Sequence, residues 1–375
     1  MYRPVCKAIV SALAIVLSVA GISAAAEEIK TLEIGAKAPD FALPGVDGKK
    51  HKLAEYNKAK VLVIVFTCDH CPTAQAYEER IKALAADYKD KGVTLVAISP
   101  NDPQAVRLDE LGYTDLSDSL AEMKIRAKDK GFKFPYLYDG DKQEVSKAYG
   151  PVSTPHVFIF DSERKLRYVG RVDDNEKQPD KVTSPDARNA VEALLAGRPV
   201  PVEKTKTFGC SIKWSDKRAS VKQSFEKWAQ EPITLPTIDL EGVKKVLKND
   251  SNDVCLVNIW STRCGPCVAE FPEFVEINRM YRGREFKMVS INVEGSEAKD
   301  RVLSFLKKNQ ASFTNHVYDG DVYALIDAVD PKWSGAIPYT LLIKPHGEVA
   351  YRHLGEIEPL AMKKAVVECL GRVYK

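Results

Sequence analysis

The chain has 375 residues, enough for two or three domains, each with its own core. Its 55 Lys and Arg nearly balance its 52 Asp and Glu, and the net charge of +3, with both signs mixed along the chain, gives no electrostatic case for binding nucleic acid. Eight cysteines are too few for a disulfide-stapled small fold and suit paired redox chemistry.

Arg3 and Lys7 precede an apolar run from Ala8 to Ala20, and Ala24-Ala25-Ala26 offers a small-residue cleavage site. This is the plan of a secretory signal peptide over residues 1–26, with an uncleaved N-terminal anchor as the alternative. The expected location is periplasmic or secreted, where cytosolic reductants do not suppress disulfide chemistry.

A first domain is expected over 32–197. Asp47-Gly48 marks a turn between short extended segments. Val61–Phe66 is a continuous apolar run suited to a strand buried on both faces. It delivers Thr67-Cys68-Asp69-His70-Cys71-Pro72, and Tyr77, Ile81, Leu84 and Tyr88 then recur at helical spacing. Two cysteines two residues apart at a strand-to-helix turn form a thioredoxin-type redox motif. Unpaired N–H groups and the positive end of the dipole at a helix start favour a thiolate. Cys68 is expected to be that thiolate, supported by His70, with Cys71 resolving the mixed disulfide and Asp69 opposing if close.

Residues 198–232, with several prolines and lysines and with Trp214 and Trp228, read as a partly ordered linker. Within it Cys210 is either a third exchange partner or a small buried hydrophobe, and the second reading is preferred. The last domain, 233–375, repeats the plan. Val254–Trp260 reads as a buried strand, Cys264-Gly265-Pro266-Cys267 follows, and a helical pattern begins at Val268. Cys264 is the expected attacking thiolate and Cys267 the resolving cysteine. Glu270 lies one turn beyond Cys267 on the same helix face. Cys255 and Cys369 read as inert core residues.

An internal repeat supports the tandem arrangement. Tyr138-Asp139-Gly140-Asp141 recurs as Tyr318-Asp319-Gly320-Asp321, and each leads through a helical stretch to a proline opening an apolar strand, Pro155 or Pro338. If Thr154-Pro155 and Ile337-Pro338 are cis, backbone polar groups there would face the sulfurs, and a client chain could pair alongside as an added strand.

Two resemblances follow from these motifs. Trp260, Cys264-Gly265-Pro266-Cys267, Glu270-Phe271-Pro272 and Ile337-Pro338 resemble the TlpA/ResA-type branch of the thioredoxin superfamily, over roughly 233–370. Asn258 and Arg263 stand where classical thioredoxins carry an aspartate and a tryptophan. Gly35-x-x-Ala38-Pro39-x-Phe41 and Phe66-Thr67…Cys71-Pro72-Thr73 resemble the redoxin family of alkyl hydroperoxide reductase and thiol-specific antioxidant proteins, over roughly 32–215. In peroxiredoxins a Thr lies three residues before the peroxidatic cysteine; here Thr67 lies four before Cys71.

The resemblance implies Glu270 as the acid near its cysteine pair, and Thr154, Pro155, Ile337 and Pro338 as the client-binding edge. The expected fold is α/β: two tandem thioredoxin-like α/β/α sandwich domains with central mixed sheets. The expected function is an exported thiol–disulfide oxidoreductase working through two CxxC pairs; a peroxiredoxin-like peroxidase re-reduced by the second domain is the alternative. No cofactor and no metal are expected. The partners are protein thiols and disulfides, with a membrane-bound reductant or oxidant behind them. His70 is expected to make the first pair the stronger oxidant, leaving the second near the thioredoxin value of ~−270 mV.

Overall fold

The computed structural model describes residues 29–374; the expected leader at 1–26 lies outside the described residues. Among the described residues no helix is long and apolar enough to cross a membrane.

The first domain opens with a hairpin, β1 (Ala42–Pro44) and β2 (Lys50–Lys52), turning at Asp47-Gly48. It continues through β3 (Val61–Phe66), α1 (Pro72–Tyr88), β4 (Val93–Ser99), α2 (Leu120–Lys130), β5 (Tyr136–Tyr138), α3 (Glu144–Tyr149), β6 (Ser153–Thr154), β7 (His156–Phe160), β8 (Leu166–Gly170) and α4 (Asp186–Leu195). The sheet order is β5-β4-β3-β7-β8, with the first three strands parallel and the last two antiparallel. Strand β3 is apolar at every position because both its faces are covered. Val61, Val63 and Val65 pack with Tyr77, Ile81 and Leu84 of α1 and with α4. Leu62, Ile64 and Phe66 point the other way, onto Phe41 and Tyr149.

The connecting segment is folded. It supplies β9 (Cys210–Ser211), which pairs with β6, and α5 (Arg218–Trp228), whose Trp228 is buried under the guanidinium groups of Arg279 and Arg282. The second domain then runs β10 (Thr237–Ile238), α6 (Leu240–Lys248), β11 (Val254–Trp260), α7 (Gly265–Tyr281), β12 (Phe286–Asn292), α8 (Lys299–Lys308), β13 (Thr314–Tyr318), α9 (Val322–Val329), β14 (Tyr339–Ile343), β15 (Val349–Leu354) and α10 (Pro359–Leu370). Its sheet order, β10-β13-β12-β11-β14-β15, repeats that of the first domain with one strand added at the edge. Leu256 and Trp260 of β11 face α7, α8 and α10, while Cys255, Val257 and Ile259 face α6 and α9. Cys255 is therefore a core residue; Cys369 is only partly buried at the same domain's edge. Both domains are thioredoxin-like α/β/α sandwiches with mixed sheets.

The loop between β4 and α2 joins the two domains. Its Val106 and Leu111 are buried in the core of the second domain beside Tyr281 and Met280. Tyr281 Oη donates to the Thr114 carbonyl at 2.7 Å, and Arg372 pairs with Asp115 at 2.5 Å. The Arg284 guanidinium donates to the carbonyls of Gly112, Gly371 and Leu370 at 2.8, 2.7 and 2.6 Å and lies over the Tyr113 ring. Arg284→Ala leaves three carbonyls without that donor, so it should lower the unfolding free energy by about 1–3 kcal/mol. Urea denaturation checks this; an unchanged midpoint would show that the loop contributes nothing to holding the domains together.

Candidate functional site

In the second domain Cys264 is the N-cap of α7, and its Sγ accepts the N–H of Cys267 at 3.2 Å. The two cysteines are joined in a disulfide. Cys267 is fully buried, whereas Cys264 is half-buried and rimmed by exposed Gly265, Pro266 and Val268. Cys264 Sγ lies 3.6 Å from the carbonyl oxygen of Ile337, the residue preceding Pro338. Glu294 braces the turn that presents it: Oε1 accepts from Ser261 Oγ and Thr262 Oγ1, both at 2.7 Å. Burial alone would raise the Glu294 pKa, but bonds from Arg301, Thr262 and Ser261 hold it down at about 2.

Glu270 is buried one turn along α7 from Cys267. Its Oε1 accepts from Asn258 Nδ2 at 3.2 Å and its Oε2 from the Ile357 N–H at 2.8 Å. Burial pushes its pKa up to about 7 despite those two bonds. Asn258 has a role that an aspartate could not fill, because its amide donates to Glu270 and to Thr340 Oγ1. An acid here would set a second buried carboxylate against Glu270.

The first domain is arranged differently. The N-cap of α1 is Cys71, not Cys68, and Cys71 Sγ accepts the Ala74 N–H at 3.4 Å. Cys71 Sγ lies 3.3 Å from the Thr154 carbonyl oxygen, just as Cys264 faces Ile337. Cys71 thus occupies the place of Cys264, and Ala74 that of Cys267. The physical reason is Pro72: a proline at the first helical position starts the helix immediately after Cys71. Cys68 sits upstream in the turn, with its Sγ 3.2 Å from Thr154 Oγ1. Both X–Pro bonds, Thr154-Pro155 and Ile337-Pro338, are cis.

The electrostatics also favour Cys71. Burial raises its pKa, but hydrogen bonds from the thiols of Cys210 and Cys68, the His70 charge and the Ala74 N–H bring it well below the usual thiol range. Cys68 moves the opposite way, raised by burial and by its bond to Cys71. Cys68 therefore does not hold the helix-start position expected of the thiolate: Cys71 holds it, and its surroundings lower the Cys71 pKa while raising that of Cys68. His70 is buried ahead of the helix, and its Nδ1 pairs with Asp118 Oδ2 at 2.5 Å. Burial would lower the His70 pKa, but the Asp118 charge and bond, with Cys71, raise it. Asp118 also accepts the backbone N–H groups of Asp69 and His70 and the Asn101 amide; burial would raise its pKa, but the His70 charge and the bonds from His70 and Asn101 lower it. Asp69 was expected to oppose the thiolate. It is buried under the Tyr136 hydroxyl, and its pKa is driven well up by burial and by Asp118, which weakens that opposition.

Cys68, His70 and Asp118 form the one group of three metal-capable side chains among the described residues. The Asp118 oxygens are already committed to His70, Asn101 and two backbone donors, so the group reads as a hydrogen-bonded set. Asp118, Asn101 and Glu294 were missed in the sequence. Asp118 lies 48 residues from His70 with no motif around it. Asn101 carried a weak signal, a polar residue just past the carboxyl end of a parallel strand, where sites in open α/β sheets gather.

An AhpC/TSA family model matches residues 34–169 and a Redoxin family model matches residues 222–368. The chain carries the two domains in tandem, one of the AhpC/TSA family and one of the Redoxin family. It is 24% identical over 133 residues to the thiol-disulfide oxidoreductase ResA of Halalkalibacterium halodurans, covering 36% of this chain and 72% of that protein. It is 29% identical over 145 residues to a Mycobacterium tuberculosis protein named as a peroxiredoxin, covering 38% and 80%. A crystal structure of a conserved protein from Geobacillus kaustophilus shares 41% identity over 49% of this chain and 93% of that chain, and superposes with a TM-score of 0.43. The family matches and the ResA relatives place the chain with the oxidoreductases.

Proposed function

We propose that this chain is an exported thiol–disulfide oxidoreductase that exchanges disulfides with protein partners through two cysteine centres. The observation that carries the reading is Cys264 at the start of α7, half-buried beside a fully buried Cys267, with a buried Glu270 one turn further along the helix. A thiolate there attacks a client disulfide, and Cys267 then attacks the mixed disulfide and releases the reduced client. The ResA relatives support this chemistry. Export rests on the leader pattern of residues 1–26, and a membrane-bound redox partner would reset the centre from outside the cytosol. Cys267→Ser should trap the intermediate: incubated reduced with insulin, it should give an adduct on non-reducing gels that dithiothreitol removes and that Cys264→Ser does not form. Absence of that adduct would sink the reading of the second centre.

A second reading concerns the first centre alone. A thiolate at a helix start beside a charged imidazole can also attack a peroxide O–O bond, and one relative is named as a peroxiredoxin. Here Cys68, not a threonine, lies three residues before Cys71. Hydrogen peroxide consumption that disappears in Cys71→Ser but survives in Cys264→Ser would support the peroxidase; no consumption by the intact chain would remove it.

A further inference from the structure

In the second domain the residues leading into Pro338 pair with no strand among the described residues, so that edge is open. In the first domain the same edge is filled by the chain itself. Strand β9 pairs antiparallel with β6, matching Cys210 to Thr154 and Ser211 to Ser153. This is the place where an extended client would lie beside Cys71. The segment is fitted closely. A Cβ on Gly209, whose φ is +139°, would stand 2.0 Å from the Thr154 oxygen, so only glycine lets the strand approach. On one side Phe208 packs against Tyr77; on the other, the backbone of Lys213 is held by Asn101, Asp102 and Gln143.

The result is a three-sulfur cluster. Cys68, Cys71 and Cys210 pack together around Ala74, and the Cys210 N–H donates to Cys71 Sγ at 3.4 Å. The Cys210 side chain packs beside Cys71, and Tyr374 of the second domain lies close enough to feel its charge. The preferred sequence reading of Cys210 as a passive small hydrophobe does not account for a cysteine packed with two others whose own N–H sits on the Cys71 sulfur.

We infer that Cys210 is the exchange partner of Cys71, a client thiol carried on the chain's own strand. The inference rests on reading the first centre as a disulfide-exchange site. Exchange with a client disulfide leaves a Cys68–Cys71 disulfide and a reduced client. The Cys210 sulfur, giving up its proton, then attacks Cys71 Sγ. The Cys71–Cys210 bond forms as the Cys68–Cys71 bond breaks, and Cys68 leaves as a thiolate that takes the proton. One disulfide replaces another, so no further oxidant is consumed.

The test uses the full chain. Reduced Cys68→Ser protein is treated with glutathione disulfide, quenched with N-ethylmaleimide and digested with trypsin without reduction. Cys71 lies in the peptide Val61–Arg80 and Cys210 in Thr207–Lys213, so their disulfide joins two peptides. The expected product is that cross-linked pair, with the Cys71–glutathione adduct cleared at least ~10-fold faster than in Cys68→Ser/Cys210→Ser, as befits attack by a thiol already held in place. A lasting Cys71–glutathione adduct beside an alkylated Cys210 would overturn the inference alone. A Cys71 that forms no adduct, while Cys264 and Cys267 oxidise normally, would overturn it together with the exchange reading of the first centre. Wild-type protein oxidised under the same conditions guards against a misfolded variant. It should yield both the internally closed Val61–Arg80 peptide and the cross-linked pair; the closed peptide alone would overturn the inference.

Discussion

Replacing Asp118 by asparagine should raise the titration midpoint of the Cys71 thiolate by ~1–2 units, a ~10–100-fold loss of thiolate below that midpoint. The effect is transmitted by His70. Its imidazolium persists inside the protein because Asp118 faces it at 2.5 Å, and the Cys71 pKa falls partly because that positive charge is beside it. Asparagine keeps the size of the side chain and removes the charge. A buried imidazolium without a counter-charge is costly, so His70 becomes neutral and its pull on the sulfur is lost. Ultraviolet absorbance of the thiolate, with Cys71→Ser as the blank, measures the shift. A midpoint that does not move would mean that the hydrogen bonds from Cys210, Cys68 and Ala74 are sufficient.

The same variant carries a stability signature. The His70 pKa is raised in the folded state, so its contribution is complete below the ordinary histidine value and is lost as pH rises through the folded one. The Asp118 pKa is lowered, so its contribution is present above the ordinary aspartate value and is lost as pH falls through the folded one. The pair therefore stabilises most between pH ~4 and ~6.5. Asp118→Asn should be destabilised there by about 3–5 kcal/mol, the usual cost of breaking a buried pair by removing one partner.

The second large effect is expected at Glu270. Its pKa of about 7 places its proton exchange in the working range of a thiol–disulfide reaction. Glu270→Gln should slow client reduction by the second centre by ~100-fold near neutral pH and flatten the pH dependence between ~6 and ~8. Trapping by Cys264 should continue, because the attacking sulfur still caps α7. Stability moves in the opposite direction. The folded carboxyl holds its proton better than the unfolded one, so the parent loses stability as pH rises from its ordinary value of 4.5 through about 7. Glutamine mimics the protonated acid beside Asn258 and Ile357. The variant should match the parent near pH ~5 and exceed it by on the order of 1–2 kcal/mol near pH ~8, after allowance for solvent screening. A variant less stable than its parent at the higher pH would show that the carboxylate is well accommodated.

The two centres divide along lines that single residues explain. Cys264-Gly265-Pro266-Cys267 puts its proline one residue further from the first cysteine than Cys71-Pro72 does, and α7 accordingly begins with Cys264 and α1 with Cys71. That difference was legible before folding, since proline favours the first turn of a helix. Reading both motifs as equivalent CxxC pairs obscured it. One register shift then moves the partner cysteine from inside the helix, as Cys267, to the turn before it, as Cys68.

What the chain order and residue types settled alone was the architecture. A short β-branched apolar run such as Val61–Phe66 or Val254–Trp260 suits a strand covered on both faces, and the spacing of Tyr77, Ile81, Leu84 and Tyr88 suits a helix against it. The second copy of the pattern, down to Tyr318-Asp319-Gly320-Asp321 and Ile337-Pro338, made the tandem visible. Local periodicity carries that information because burial of one face is repeated every few residues. The charge state of the sulfurs was decided elsewhere. Asp118 reaches His70 from a loop fastened to the other domain, Asn258 meets Glu270 across a strand–helix contact, and Cys210 arrives on a strand from the connecting segment. Each acts through one contact between residues distant in sequence, inside a low-dielectric interior that strengthens it, and such a contact leaves no period for a sequence to show.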